Sequence, residues 1–191
     1  MQIKRIKPGE VRIIGGQWRG RKLKVPDILG LRPTPDRVRE TLFNWLAPLL
    51  PGAYCLDAFA GSGALGFEAL SRGAAHVVMI DRSSVALSFL KEQLAIFQAE
   101  NADIYQACVP PLKKSTRPFD IVFLDPPFQE NILLPMCFYL EEQQALAARA
   151  YIYLESPNAL TTADLPANWR ILKSKKAGQV AFHLAERLSL L

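Results

Sequence analysis

A glycine-rich segment follows a short apolar run in the first half of the chain and reads Leu56-Asp57-Ala58-Phe59-Ala60-Gly61-Ser62-Gly63-Ala64-Leu65-Gly66. The apolar run at 53–56 predicts a buried strand, and residues 64–71 predict a helix. A strand, a glycine turn and a helix in this order are typical of α/β proteins that bind a nucleotide at the turn. The segment therefore predicts a Rossmann-like sheet with a ligand site at its edge.

The same alternation continues after this segment. Further strands are predicted at 77–80, 102–107, 119–124 and 149–155, and helices at 84–98 and 131–143. Alternating strands and helices predict a parallel sheet with helices on both faces. Two last strand-like runs, 169–173 and 179–186, predict a terminal antiparallel hairpin. The predicted fold class is thus α/β, a mostly parallel Rossmann-like sheet that ends in an antiparallel hairpin.

The N-terminal part follows a different pattern. Residues 11–14 and 21–25 are strand-like and flank a basic loop rich in glycine, which predicts a small β-hairpin. A helical spacing of apolar residues then covers 36–46, with Asp36 as a candidate N-cap. We therefore divide the chain into a basic hairpin extension, 1–35, and a sheet domain, 36–191.

Composition excludes several classes of protein. The chain has 191 residues, of which 50% are hydrophobic and 21% charged, as in globular proteins. No apolar stretch reaches the length of about 18 residues that a membrane span needs, and no signal peptide is recognisable, so we expect a cytoplasmic protein. Three scattered cysteines and two histidines offer no disulfide pattern and no metal site. We expect a monomer, because a domain of this size needs no partner subunit.

Positive charge is concentrated at one end of the sequence. The net charge is +5, but residues 1–40 hold 11 Lys and Arg against 4 Asp and Glu, whereas the remaining residues hold 12 against 14. Clustered cations favour binding to a phosphate backbone because they release its counterions. A solvated basic arm without a partner is equally consistent with this composition.

The glycine segment also gives information about the cofactor. Gly61, Gly63 and Gly66 match the dinucleotide fingerprint, and Asp81 follows the next predicted strand. This spacing does not separate NAD from other adenosyl cofactors, and a plain tight turn fits the glycines as well. Asp57 would repel a pyrophosphate but suits the ammonium of S-adenosylmethionine (SAM), which we therefore favour. Asp81 is predicted to accept hydrogen bonds from the ribose.

A second motif, Asp125-Pro126-Pro127-Phe128, follows the strand predicted at 119–124. Ligands of open α/β sheets bind at the carboxyl ends of the strands, so this motif and the glycine segment share one edge. A carboxylate and a proline carbonyl can accept the two N–H groups of an exocyclic amine while Phe128 stacks on the base. These bonds orient the amine nitrogen toward a sulfonium methyl and stabilise the charge that develops on it. The motif therefore predicts methyl transfer to the amine of a base.

With these motifs, the sequence resembles the bacterial guanine-N2 methyltransferases of 16S ribosomal RNA, the small-subunit methyltransferase D family. These are class I SAM-dependent enzymes. The resemblance covers nearly the whole chain and is carried by the stretches 12–21, 32–43, 57–66 and 125–128. It implies that Asp125, Pro126, Pro127 and Phe128 hold the target guanine. It also implies cofactor contacts from Asp57, Gly61, Ser62, Gly63 and Asp81, to which we add their neighbours Phe59 and Arg82.

One departure from the family pattern concerns the adenine of the cofactor. Related enzymes have Asp or Asn near the end of the third strand, where this chain has Tyr105-Gln106-Ala107-Cys108. Gln106, or the backbone near Cys108, is the candidate replacement.

The expected partner is 16S ribosomal RNA, in the small subunit or an assembly intermediate. The candidate RNA-binding residues are Arg12, Trp18, Arg19, Arg21, Lys22, Arg32, Arg37 and Arg39. Trp18 is available for stacking on an unpaired base, whereas a salt bridge to Asp36 or Glu40 is an alternative for Arg37 or Arg39. Two other functions stay open, an N6-adenine methyltransferase of DNA and a non-catalytic RNA-binding assembly factor. A NAD-dependent dehydrogenase is disfavoured because no acid or base for hydride transfer is found.

Overall fold

The computed structural model describes residues 9–28, 33–110, 112, 115 and 117–189. It contains nine strands and four α-helices within those residues. The strands are β1 (Gly9–Arg12), β2 (Lys22–Val25), β3 (Tyr54–Asp57), β4 (His76–Asp81), β5 (Ala102–Gln106), β6 (Phe119–Leu124), β7 (Leu146–Ser156), β8 (Trp169–Ala177) and β9 (Val180–Leu188). The helices are α1 (Asp36–Leu46), α2 (Ala64–Ser71), α3 (Ser84–Phe97) and α4 (Leu133–Glu142).

Seven strands form one sheet in the order β5-β4-β3-β6-β7-β9-β8. The first five pair in parallel, and β9 pairs antiparallel with both β7 and β8. The expected α/β class, with a mostly parallel sheet and a terminal hairpin, is confirmed. The order reverses between β3 and β6, so the carboxyl ends of these two neighbouring strands form the crevice in which such sheets bind ligands.

Helices cover both faces of the sheet, as alternation predicted. On one face, α1, α2 and α3 pack against Cys55, Met79 and Phe123 in a cluster that is closed to solvent. On the other face, α4 packs against side chains such as Leu56 and Val122. Neighbouring strand residues point to opposite faces, which explains why every residue of β3 is buried.

The N-terminal hairpin pairs β1 with β2 and packs on the face of the sheet that α1, α2 and α3 cover. Its Ile13 and Leu23 are fully buried in the same cluster as Phe67 of α2 and Phe97 of α3. The Trp18 ring lies 4.9 Å from the ring of Phe97, centre to centre, and the side chain is only 7% exposed. The hairpin therefore contributes to the core of the sheet.

A buried carboxylate, Glu68 of α2, fixes the loop of this hairpin. Its two oxygens accept the backbone N–H groups of Ile14 and Gly15, each at 2.8 Å. Arg72 donates to it at 2.7 Å, and Arg39 lies 3.5 Å away with no exposed surface. A buried charge needs such partners because desolvation is costly. Glu68 thus joins the hairpin, α1 and α2 at one point.

The start of α1 differs from the prediction. Asp36 is the first helical residue and the cap position is Pro35, which has no side chain able to accept a hydrogen bond. The Asp36 carboxylate instead binds the guanidinium of Arg39 at 2.6 Å. The helix begins here because proline is compatible with a helix start but not with its interior.

Some predicted bounds of strands and helices differ from the observed ones. β7 begins at Leu146, ahead of the predicted 149, and β8 continues to Ala177. The segment Phe128–Glu130 forms a separate 3-10 turn, and α4 begins only at Leu133. The longer β8 carries the terminal hairpin to the edge of the sheet at which β7 ends.

Candidate active site

The glycine turn between β3 and α2 has the backbone that its sequence predicts. Gly61 and Gly63 both have positive φ angles, 50° and 78°. A Cβ atom at Gly63 would also lie 2.5 Å from Leu90 Cδ2 and 2.8 Å from Phe67 Cδ2. Glycine is needed at position 63 for both conformation and space.

Asp57 lies beneath this turn and is 2% exposed. Its Oδ2 accepts the N–H of Gly66 at 3.0 Å, so the carboxylate ties the end of β3 to the first turns of α2. Burial raises the pKa of Asp57 to about 7, against the opposing effect of its backbone hydrogen bonds. A cation placed above it would favour the ionised form.

Asp81, at the end of β4, joins two loops of the same edge. One carboxylate oxygen accepts the N–H of Gly61 at 2.8 Å, and the other accepts the N–H of Ser83 at 2.7 Å. The side chain is part-exposed, so its remaining lone pairs can accept hydroxyl groups.

The chemistry of these groups fits a cofactor that carries an amino acid and a ribose. The first N–H groups of α2, at Ala64 and Leu65, have no acceptor within the helix and point toward the turn, where a carboxylate binds favourably. Asp57 supplies a negative potential for an ammonium, and Asp81 supplies acceptors for ribose hydroxyls. The donor and acceptor set therefore suits SAM.

Other predicted cofactor contacts lie along the same edge. The side chain of Arg82 forms an ion pair with Glu130 at 2.6 Å, across from the segment that follows Phe128. Gln106 donates from its amide nitrogen to the Arg82 carbonyl at 3.1 Å. Cys108 has an exposed thiol, and Phe59 is half-buried at the glycine turn. These residues are neighbours at the edge.

The motif at 125–128 begins where β6 ends, directly beside the glycine turn. In the register of the sheet, Phe123 of β6 is opposite Asp57 of β3. Asp125 accepts a hydrogen bond from the Thr34 hydroxyl at 3.2 Å, and Phe128 is 36% exposed at the start of its 3-10 turn. The carboxylate and an accessible aromatic ring therefore lie next to the proposed cofactor position.

Sequence reasoning missed a second acid at this point. Glu155 lies near the end of β7 beside Asp125, since Leu124 pairs with Leu154 in the preceding position. Its carboxylate is 7% exposed and accepts a hydrogen bond from the Tyr153 hydroxyl at 2.7 Å. Burial, then the charge of Glu155, raises the pKa of Asp125 well above its usual range, and the Thr34 hydrogen bond opposes this. An acid at the carboxyl end of a buried strand was the signal that revealed Asp57, Asp81 and Asp125, and the same signal at the end of the apolar run of β7 would have revealed Glu155.

The predicted RNA-binding residues fall into different environments. Arg12 and Arg19 are exposed and line one pocket of about 300 Å³ together with Asp36 and Glu40. This pocket lies on the N-terminal hairpin rather than at the glycine turn. Arg37 is also exposed at the start of α1.

Two exposed residues among the predicted RNA contacts already bind other residues of this chain. Arg21 donates to the Ile96 carbonyl at 3.0 Å and lies over the Phe97 ring, and Lys22 pairs with Glu10 at 2.6 Å. Arg32 lies outside the described residues.

Two of the predicted RNA contacts need correction. Trp18 is packed on Phe97 in the core, so it offers no free face to a base. Arg39 has no exposed surface, because it neutralises Glu68 and pairs with Asp36. The alternative salt bridge to Asp36 is the correct one for Arg39.

Known proteins are similar to this chain over most of its length. A family model described as Conserved hypothetical protein 95 matches residues 11–186. The ribosomal RNA small subunit methyltransferase D of Escherichia coli K12 is 52% identical over 180 residues, which cover 94% of this chain and 91% of that protein. The protein of that name from Haemophilus influenzae is 46% identical, covering 92% of this chain and 93% of that protein.

Solved structures agree with the sequence relatives. The structure of yhhF from Escherichia coli is 50% identical and superposes with a TM-score of 0.87, covering 95% of this chain and the whole of that chain. Both the glycine turn and the 125–128 motif lie within the region matched by the family model. The match over most of the chain and the identities of 52% and 46% show that the protein belongs to the methyltransferase family of the small-subunit methyltransferase D proteins.

Proposed function

We propose that this protein transfers a methyl group from SAM to the exocyclic N2 of a guanine in small-subunit ribosomal RNA. One observation carries the proposal: Asp125-Pro126-Pro127-Phe128 follows β6, the strand that pairs with β3, so it lies beside the glycine turn that follows β3. The names of the relatives at 52% and 46% identity support the ribosomal substrate. The chemistry of the motif supports an exocyclic amine of a base as the acceptor, and the resemblance to the guanine-N2 methyltransferases of 16S ribosomal RNA supports guanine N2.

The cofactor would be held at the edge formed by β3 and β4. We assign its amino acid part to the N–H groups at the start of α2 and to the potential of Asp57, and its ribose to Asp81. Phe59, Ser62 and Arg82 flank this position. Gln106 and the backbone near Cys108 are the candidates for the adenine. When bound, SAM supplies a methyl group on a sulfonium, which is activated for direct displacement.

The residues of the second motif prepare the amine of the base. The Asp125 carboxylate accepts one N–H of the amine, the Pro126 carbonyl accepts the other, and the exposed Phe128 ring stacks on the base. These contacts turn the nitrogen lone pair toward the methyl group. The nitrogen gains positive charge as its bond to carbon forms, and Asp125 stabilises that charge.

The environment of Asp125 also suits removal of the proton that the product amine must lose. Burial and Glu155 raise the pKa of Asp125, which makes its carboxylate a stronger proton acceptor than an exposed aspartate. Thr34 holds one carboxylate oxygen in place at 3.2 Å. A guanine within folded RNA has to leave its stack to reach this position.

The test uses labelled SAM with 16S ribosomal RNA, partly assembled small subunits and duplex DNA, followed by nucleoside analysis. We expect N2-methylguanosine from the ribosomal substrates and its loss in Asp125→Ala. Asp125→Asn is the matched variant, because the amide oxygen still accepts the amine N–H but takes up no proton. We expect it to retain SAM affinity and lose about 100-fold or more in kcat.

Other results would contradict the proposal in distinct ways. Formation of N6-methyladenine in DNA would agree with the proposed fold and cofactor but would show that the substrate is DNA. Normal methylation by Asp125→Ala would show that the motif does not have the role we assign to it. SAM and RNA binding without any methylation would indicate the non-catalytic assembly factor.

A further inference from the structure

The C-terminal hairpin carries charge that the proposed function does not yet use. β8 is the edge strand of the sheet and is exposed along most of its length. Near its start, Arg170 pairs with Glu186 at 2.6 Å. Toward its end, Lys173, Lys175 and Lys176 are exposed and have no acidic partner within 4 Å among the described residues. The positive charge is thus neutralised at one end of the strand and free at the other.

The free end lies at the active-site edge of the sheet. Lys176 is opposite Ala181 of β9, and Ala181 is opposite Ser156, the residue after Glu155. Since β7 runs parallel to β6, this is the edge at which Asp125 lies. Three strand spacings separate β8 from β6, which is about 14 Å.

An aromatic side chain connects this hairpin to α1. The Nζ of Lys173 lies 5.8 Å from the centre of the Trp45 ring, and Trp45 stacks on Phe182 of β9 at 5.5 Å. Lys175 is opposite Phe182 and shares that face of the sheet. Arg37, another exposed cation, is two helical turns before Trp45 and three residues after Thr34, which contacts Asp125. Lys173 and Lys175 therefore lie beside α1, which carries the exposed Arg37, whereas Lys176 points to the opposite face of β8 at the same edge of the sheet.

We propose that Lys173, Lys175 and Lys176 bind backbone phosphates of the RNA that presents the target base to Asp125. The inference rests on the proposed function, since it takes RNA as the substrate. Unpaired lysines at the reacting edge can release counterions from a phosphate backbone, which paired charges cannot do to the same extent. Phosphate contacts of this kind position a nucleic acid without reading its sequence. The substrate then contacts both ends of the chain.

Edge-strand lysines also have a simpler role, which the test must separate. Lysines on an edge strand prevent pairing with the edge of another molecule. Glutamate provides the same protection against aggregation but repels phosphate. Charge reversal therefore distinguishes the two roles, because it preserves protection of the edge strand and removes phosphate binding.

The experiment compares Lys175→Glu/Lys176→Glu with the parent protein in steady-state methylation of the ribosomal substrate. We expect KM for the RNA to rise about tenfold or more at moderate salt, with kcat at saturating RNA and the Kd for SAM unchanged. The milder Lys175→Gln/Lys176→Gln should reduce the slope of log Kd for RNA against log salt by about 1.5. Lys91→Glu on α3 is the matched control for the single variant Lys175→Glu, because each reverses one exposed lysine and Lys91 lies on the side of the sheet that ends in β5.

Each outcome decides a different point. An unchanged KM and salt slope in both double variants, with an active parent protein, would overturn the inference and leave the proposed function intact. A parent protein that methylates no ribosomal RNA would contradict the proposed function itself. Aggregation of the glutamine variant with an unchanged salt slope would assign the lysines to edge protection, and an equal rise of KM in Lys91→Glu would show a general charge effect.

Discussion

The hairpins at the two ends of the chain are both basic, but they use their charged and aromatic side chains in opposite ways. The N-terminal hairpin places Trp18 in the core, and the buried Arg39 of α1 meets its loop at Glu68. The C-terminal hairpin keeps Lys175 and Lys176 exposed at the edge of the sheet where Asp125 lies. One hairpin is mainly part of the folded core, and the other presents unpaired charge to solvent.

This difference shows why a charge count along the sequence is a poor guide to a binding surface. Residues 1–40 hold the whole positive excess, whereas the rest of the chain has more acids than bases. Yet Lys22 is paired with Glu10, and Arg39 is buried with Glu68. What a polyanion meets is the charge left after burial and ion pairing, and this depends on the fold.

The largest expected effect comes from Trp18→Ala. Removing a buried tryptophan from its contact with Phe97 should lower the free energy of unfolding by about 3–5 kcal/mol. KM for RNA should change less than about twofold at a temperature where the variant is folded, because the ring offers no free face to a base. Urea denaturation and steady-state kinetics measure the two quantities.

Trp45→Ala is the matched variant beside the other hairpin, because Trp45 of α1 stacks on Phe182 of β9. Trp45 is half-buried and lies beneath Lys173, so its removal should cost less stability but raise KM for RNA. If Trp18→Ala instead left the urea midpoint unchanged and raised KM, the N-terminal hairpin would be the stacking surface and the contrast between the hairpins would be wrong.

Much of the sheet could be predicted from the sequence, because its signals are local. The apolar runs of β3, β4 and β6 each end at an acid, and the glycine turn follows β3 directly. These signals located Asp57, Asp81 and Asp125 at one edge, since parallel strands share their carboxyl ends. Hydrophobic spacing likewise located α1, although Asp36 is its first residue and not its cap.

The rest depended on contacts between distant parts of the chain. Arg39 and Glu68 are on different helices, and no local pattern indicates that they meet in the core. Trp18 has the exposed glycine and arginine neighbours of a loop, but its ring reaches Phe97 of α3. Thr34 was recognised only within a family-specific stretch, and its bond to Asp125 spans 91 residues.

A prediction of intermediate size tests how Glu155 and Thr34 change the pKa of Asp125. The carboxylate form accepts the amine N–H, so kcat/KM should fall as the pH drops through the raised pKa of Asp125. Glu155 raises that pKa and Thr34 lowers it. Glu155→Gln should therefore move the acid limb of the pH profile to lower pH, and Thr34→Val should move it to higher pH.

The opposite signs make the pH experiment specific. Asp57 also contributes to the raised pKa of Asp125, so the limb should remain above that of an ordinary aspartate even in Glu155→Gln. The tyrosine that donates to Glu155 provides a control, because Tyr153→Phe removes this hydrogen bond without removing either charge. Shifts of the same sign in Glu155→Gln and Thr34→Val would exclude Asp125 as the group that titrates.

The smallest expected effect comes from a comparison of an unpaired and a paired cation, both in the N-terminal hairpin. Arg19 is exposed and lines the pocket beside α1, whereas Lys22 is paired with Glu10 at 2.6 Å. If unpaired charge is what RNA meets, Arg19→Gln should reduce the salt slope of RNA binding by about 0.7–0.9, and Lys22→Gln should reduce it by clearly less. An exposed pair contributes only about 0–1 kcal/mol to folding, so both variants should keep the parent stability. Equal slopes in the two variants would mean that RNA displaces Glu10 from Lys22, and local pairing would then no longer explain why the two ends of the chain differ.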